Sequence, residues 1–377
     1  MDFSFSEEQQ QLDDTLRRFI ARGYGFERRN AIRNSSDGWS REVWRTLADI
    51  GVLAVNVPEE HGGLGYGPVE TMLVMNRFGA ALLVEPFLSS AVVATTLLRQ
   101  AADDPLKADL LPQLAGGEKI AVLAHYEPGS RFETRHVEAT ARATQDGYVL
   151  DAHKAVVLHA GAADALLVSA RSSGDVDAAD GISLFLVPRG TPGLTLREYP
   201  TLDGQRAAEV LLREVALPAS ARLGAAHAAL PAIELALDSG LAALCAEAVG
   251  VMDALIAATV DYLKTRRQFG QPIGRFQALQ HRMADMLLHR EQARSMSYLA
   301  AMRCTSDDLR ERRRTLSAAK VTIGQACRFI GQNAVQLHGG MGMSDELIVS
   351  HWFKRLAMIE LSCGDTDTHL QRFIATQ

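Results

Sequence analysis

The chain has 377 residues, of which 47% are hydrophobic and 22% charged, and its formal net charge is −6. That length exceeds one small core and implies two or three domains of a soluble globular protein. A mildly acidic chain lacks the basic face that a phosphate backbone requires, which argues against nucleic acid as a partner.

The first block, about residues 1–115, has helical texture. In "EEQQQLDDTLRRFIARG" the residues Leu12, Leu16, Phe19 and Ile20 share one face, and Ser6 is placed to start the helix. The opening "MDFSFSEEQQQLDD" is acidic and lacks a signal pattern, so a cytoplasmic location is expected. "GGLGYG" does not form GxGxxG and reads as a surface loop. "GAALLVEPFLSSAVVATTLL" is broken by Glu85 and Pro86, so it is expected as a buried helix pair, with no membrane span.

From about 116 to 225, short apolar runs such as "GYVLDAHKAVVLHAG", "DALLVSARS" and "ISLFLVP" alternate with turn residues. They predict an antiparallel β domain. From about 226 to 377 the helical rhythm returns. Leu241, Leu244, Met252, Leu255, Ile256, Val260 and Leu263 mark one long helix. Phe276, Leu279, Met283, Met286 and Leu287 mark a second, and "SAAKVTIGQACRFIGQNAVQL" a third. Long helices joined by short breaks imply a bundle. The fold class is therefore α+β and multidomain, with its strands in one block and no βαβ alternation.

Chemistry concentrates near the end. "MIELSCGDTDTHLQRF" places Cys363, Asp365, Asp367 and His369 two apart. A metal needs three or four ligands at known spacing, and no second cluster accompanies these. A Cys–His nucleophile needs a neighbouring base and an orienting group. The default reading is a helix cap, with Asp at an N-terminus. "HGGMGM" follows a helix, where glycine first means a stop.

Four segments together resemble the acyl-CoA dehydrogenase family: "VPEEHGGLGYG", "RRQFGQPIGRFQALQHRMADM", "QLHGGMGM" and the tail just quoted. The resemblance spans the whole chain and implies an N-terminal helical domain, a central antiparallel β domain and a C-terminal four-helix bundle. It implies FAD, with a second subunit completing the site. It also implies removal of an α-proton by a carboxylate and transfer of a β-hydride to the flavin, giving a 2-enoyl-CoA. Electron-transfer flavoprotein is the implied acceptor.

Carried over residue by residue, the resemblance assigns Arg266, Gln268, Phe269, Phe276, Gln277, Gln336 and Gly340 to FAD, with Asp367 beside them. An arginine fork suits a pyrophosphate. The β domain departs from the family pattern. Tyr126 stands where the family has threonine, and Leu158, which has no hydroxyl, ends its tryptophan–isoleucine–threonine run. Counting forward from Gly340 places the base at Cys363, and counting back from Gln371 places it at Asp365. Asp365 is the expected base, with Cys363 as the alternative. An earlier-helix base position used by some members holds Gly240. Gly240, Gly364 and Arg131 are assigned to the substrate side, Arg131 either as a partner for a distal carboxylate or as a plain surface arginine.

The "GDTDTHL" tail is similar to a subgroup that includes pimeloyl-CoA dehydrogenase small subunits and steroid side-chain dehydrogenase subunits. Three functions follow as expectations: a dehydrogenase with its own base, a catalytically incomplete subunit of a hetero-oligomer, or a flavin monooxygenase or oxidase on the same fold. A shared site argues against a monomer and leaves homo- and hetero-oligomers open.

Overall fold

The structure, a computed structural model, describes residues 5–376. Six helices come first: α1 (Glu7–Gly23), α2 (Phe26–Arg33), α3 (Arg41–Asp49), α4 (Pro68–Ala81), α5 (Thr95–Ala101) and α6 (Asp104–Ala115). Eight strands follow: β1 (Ala121–Ala124), β2 (Thr140–Ala143), β3 (Gly147–Leu158), β4 (Ala165–Arg171), β5 (Ile182–Pro188), β6 (Leu194–Pro200), β7 (Arg206–Pro218) and β8 (Arg222–Leu223). Then come α7 (Leu230–Thr265), a hairpin of β9 (Arg267–Gln268) and β10 (Gln271–Pro272), α8 (Gln277–Arg303), α9 (Leu309–His338), α10 (Ile348–Leu361) and α11 (Thr366–Ala375).

The chain divides into two compact units. The first comprises the chain up to Ala31, Pro68–Leu83 and the chain from Leu241. Its α1 opens with a capping box: Ser6 Oγ accepts from Gln9 N at 3.3 Å, and Gln9 Oε1 accepts from Ser6 N at 3.0 Å. In this unit α4 crosses α7 at two glycines. A Cβ on Gly79 would lie 2.2 Å from Glu247 O, and one on Gly250 would lie 1.8 Å from Asn76 O. The backbones approach so closely that only glycine fits. Arg355 of α10 then grips Glu247 of α7 with two bonds of 2.5 and 2.6 Å, both side chains nearly out of solvent. By length and composition α7 alone among the described helices is apolar enough to cross a membrane, but 78% of its most apolar stretch is buried inside the protein. On α8, Met286 points inward as expected, whereas Leu287 is 43% exposed and faces outward. A single residue step turns a helix by about 100°, so the two neighbours cannot share the core face.

The second unit comprises Ile32–Gly67 and Val84–Gly240. Its sheet runs in the order β6-β7-β3-β2-β4-β5-β8, with β1 also paired to β4. Most pairs are antiparallel, but β1–β4 is parallel, as is the one pair joining β2 to β4. The purely antiparallel expectation is corrected there. A parallel pair needs a long connection, and β2 and β3 lie within the one that joins β1 to β4. Strand β3 breaks register with β7 between Lys154 and Val157, where Val156 takes φ 52° and is 57% exposed. The glycine-rich "GGLGYG" is a tight turn: a Cβ on Gly63 would lie 1.9 Å from Val57 O.

Candidate active site

In the first unit, residues 362–365 form a turn between the end of α10 and the start of α11. Asp365 is the N-cap of α11. Its Oδ1 accepts from Thr368 N at 2.8 Å and from Thr368 Oγ1 at 2.6 Å. Those two bonds lower its pKa below the ordinary carboxylate value. A carboxylate held this way is a weaker base than a free one. Cys363 has φ 57°, the left-handed region, and burial pushes its thiol pKa up, which also suits it poorly to proton abstraction at neutral pH. Asp367 is exposed in the first turn of α11.

The same turn is fixed from inside the bundle. Lys320 of α9, fully buried, donates to Glu360 O at 2.8 Å and to Gly364 O at 2.6 Å. His369, also buried, bonds Cys363 O through Nε2 at 2.8 Å. Burial lowers its pKa to about 4, so at neutral pH it is uncharged and carries a single N–H to give. Gly364 cannot be another residue without movement: it has φ 99°, and a Cβ would lie 2.8 Å from His369 Nε2. The Glu360 carboxylate accepts from Arg328 at 2.8 Å and from Thr366 Oγ1 at 3.0 Å. Lys320 and this role of His369 were not assigned from sequence. The available signal was a lysine inside the apolar run "SAAKVTIG" of an amphipathic helix.

The hairpin of β9 and β10 lies in the same unit. Phe269 and Gly270 both have positive φ, 53° and 78°, the pattern of a type I′ turn. Phe269 is 90% exposed and packs edge-on against Phe276, with ring centroids 6.0 Å apart. Arg266, Gln268 and Gln277 are exposed, as are Gln336 and Gly340 near the end of α9. The two segments meet through Tyr262, whose ring stacks on His338 at 4.5 Å. A Cβ on Gly339 or Gly340 would meet no atom within 4 Å, so the backbone there borders open space.

In the second unit, Ala155 N donates to Tyr126 O at 2.8 Å, which sets half-buried Tyr126 beside the β3 bulge that leads to Leu158. Behind Tyr126 lies a buried charge network. Lys154 Nζ donates to Glu127 Oε1 at 2.5 Å, His125 O at 3.0 Å and Ser169 Oγ at 3.2 Å. The carboxylate of Glu127 also accepts from Glu138 N and Ala139 N, at 2.6 and 3.0 Å. Gly240 carries no side chain, and a Cβ there would lie 2.7 Å from the Val93 Cγ2 methyl. Arg131 is exposed, with φ 47°. A cleft of about 440 Å³, lined by Asp13, Arg77, Asp253 and Arg294 among others, contains none of the predicted site residues.

These residues fit a dinucleotide. Arg266 presents a guanidinium to solvent, suited to a pyrophosphate, and the 339–340 backbone is bare enough for close approach. In the second unit, Leu158 carries no hydroxyl.

Three models of the acyl-CoA dehydrogenase family match the chain: the N-terminal domain over residues 6–118, the middle domain over 123–216 and the C-terminal domain over 230–376. The chain belongs to the acyl-CoA dehydrogenase family. It is 31% identical to acyl-CoA dehydrogenase FadE12 of Mycobacterium tuberculosis, over 91% of this chain and 89% of that one. The solved ChsE4-ChsE5 complex from Mycobacterium tuberculosis is 25% identical with a TM-score of 0.89, covering 100% of this chain and 98% of that one. The FAD complex of PigA is 26% identical with a TM-score of 0.90, again covering 100% and 98%. Members of the family are oxidoreductases that act on CH–CH groups, and their cofactor is FAD.

Proposed function

We propose that this chain is the flavin-carrying subunit of an acyl-CoA dehydrogenase that takes its proton-abstracting carboxylate from a second, unlike chain. The observation that carries this reading is the engagement of Asp365 as a helix cap, with its pKa lowered by Thr368. The earlier-helix alternative is Gly240, which carries no carboxylate. Cys363 is a protonated thiol at neutral pH. Similarity to the two-chain ChsE4-ChsE5 complex supports such a pairing.

The reaction is α,β-dehydrogenation of an acyl-CoA thioester to a 2-enoyl-CoA. FAD supplies the hydride acceptor. The chain's own part is to hold and orient. Arg266 binds the pyrophosphate. Gln268, Phe269, Phe276, Gln277, Gln336 and Gly340 bind the rest of the dinucleotide, with Asp367 near them. Tyr126 and Leu158 line the flavin ring. Gly364 and Arg131 lie toward the substrate, Arg131 for an acid with a distal charge. Electron-transfer flavoprotein reoxidises the enzyme.

A second reading keeps Asp365 as the base. It is favoured by Oδ2, which carries no hydrogen bond among the described residues while Oδ1 holds both. Asp365→Asn separates the two, because asparagine caps as well as aspartate but cannot take a proton. In enzyme assembled with its partner chain, Asp365→Asn retains most of its activity if the partner supplies the base. Loss of turnover with flavin still bound would instead establish Asp365. Oxygen uptake with no enoyl product would point to an oxidase.

A further inference from the structure

We infer that Lys320 is a positioning residue that sets the active-site turn 362–365 through the carbonyls of Glu360 and Gly364. The functional part of this inference rests on the reading above, that the turn borders the reacting acyl group. The positional part rests on geometry alone. Lys320 reaches one carbonyl before the turn and one within it, at 2.8 and 2.6 Å. Glu360 O belongs to the last turn of α10, whose terminal carbonyls have no partner within the helix. A buried cation there satisfies one of them and complements the negative end of the helix.

Among the described residues no carboxylate lies within ion-pair distance of this ammonium. Burying a charge is costly, even with the Asp365 carboxylate near enough to feel it, so its presence calls for a specific use. Here the strained backbone supplies that use. Cys363, a non-glycine residue, sits at φ 57°, a strained shape that needs support, and the next residue, Gly364 at φ 99°, is intrinsically mobile. His369 adds the third contact, to Cys363 O. Carbonyls on both sides of a left-handed residue are thus tied to groups rooted in α9 and α11, and the turn is rigid before any substrate arrives.

The test uses Lys320→Met, which keeps the length and removes the donor, with Lys320→Gln as a second variant should the first not fold. Amide hydrogen exchange across residues 361–366 is measured on the FAD-loaded protein. It is expected to quicken by at least about tenfold while the rest of α9 and α10 is unchanged. Flavin reduction is then followed anaerobically in the partner-assembled enzyme, with straight-chain, dicarboxylyl and steroid side-chain acyl-CoAs. The reduction rate is expected to fall by about 100-fold, the scale for displacing a reacting group by about 1 Å, with FAD content and KM kept. Unchanged exchange in 361–366 overturns the inference. So does faster exchange with an unchanged reduction rate, or a loss of FAD and substrate binding together, which marks a merely structural lysine. If the wild-type assembly itself never reduces its flavin, the proposed function fails, while the exchange measurement still decides whether Lys320 holds the turn.

Discussion

Replacing Lys154 by methionine tests how the part of the second unit that carries Tyr126 is held. The ammonium is fully buried and its partner Glu127 is 3% exposed, so neither can turn to water when the other is lost. Burial lowers the lysine pKa to about 8 while Glu127 opposes the shift, so it is still a cation at pH 7. Lys154→Met leaves the carboxylate facing Glu138 N and Ala139 N with no cation bonded to it. Stranding one member of a buried pair costs about 3–5 kcal/mol. That is a large fraction of the roughly 5–15 kcal/mol by which a domain is stable. The variant Lys154→Met/Glu127→Gln removes both charges and keeps an acceptor for one of the two amides. It is expected to recover about half of the loss, since replacing both partners costs less than replacing one. Urea unfolding followed by tyrosine fluorescence and circular dichroism gives both values. Release of FAD should track them, because Lys154 also holds the carbonyl of His125, next to Tyr126. A single-variant loss below about 1 kcal/mol, or a double-variant loss equal to the sum of both singles, would refute the reasoning.

Acid sensitivity is expected from His369. Its folded pKa of about 4 lies below the unfolded 6.5, so the unfolded chain binds more protons between those values, and stability is full above pH 6.5 and falls toward pH 4. A separation of that size is worth about 3 kcal/mol, and His369→Gln should flatten the profile in melts at stepped pH. Gly250→Ala pushes a Cβ onto Asn76 O, and its melting curve should show a loss of about 3 kcal/mol, whereas exposed Gly340→Ala should leave stability nearly unchanged. Asp365→Ala should cost about 1 kcal/mol through the lost cap, a cost absent in Asp365→Asn.

Much of the architecture was legible in the sequence because local rules govern it. Ser6 starts α1, Gly339 stops α9, and the apolar rhythm locates the long helices without reference to distant residues. The parallel pairing of β1 with β4 was not legible, since strand direction depends on where the chain returns. The tail was legible as a turn into a capped helix but not in its wiring. Asp365 followed by Thr368 at i+3 is itself a capping signal, and the resemblance to a base position overrode it. Lys320 lies more than forty positions from Gly364, and Val93 still further from Gly240, so no local pattern could pair them. The Leu158 departure was readable as a missing hydroxyl, because one residue's chemistry needs no neighbour to interpret.

The central claim is that the chain holds FAD but lacks its own base, and an anaerobic absorbance titration tests it most directly. The protein purified alone is mixed with straight-chain, dicarboxylyl and steroid side-chain acyl-CoAs, and the flavin band is followed. The account predicts that the yellow band is present and does not bleach until a partner chain bearing a carboxylate base is added. Bleaching of the flavin in the chain alone would contradict it and return Asp365 to the role of base.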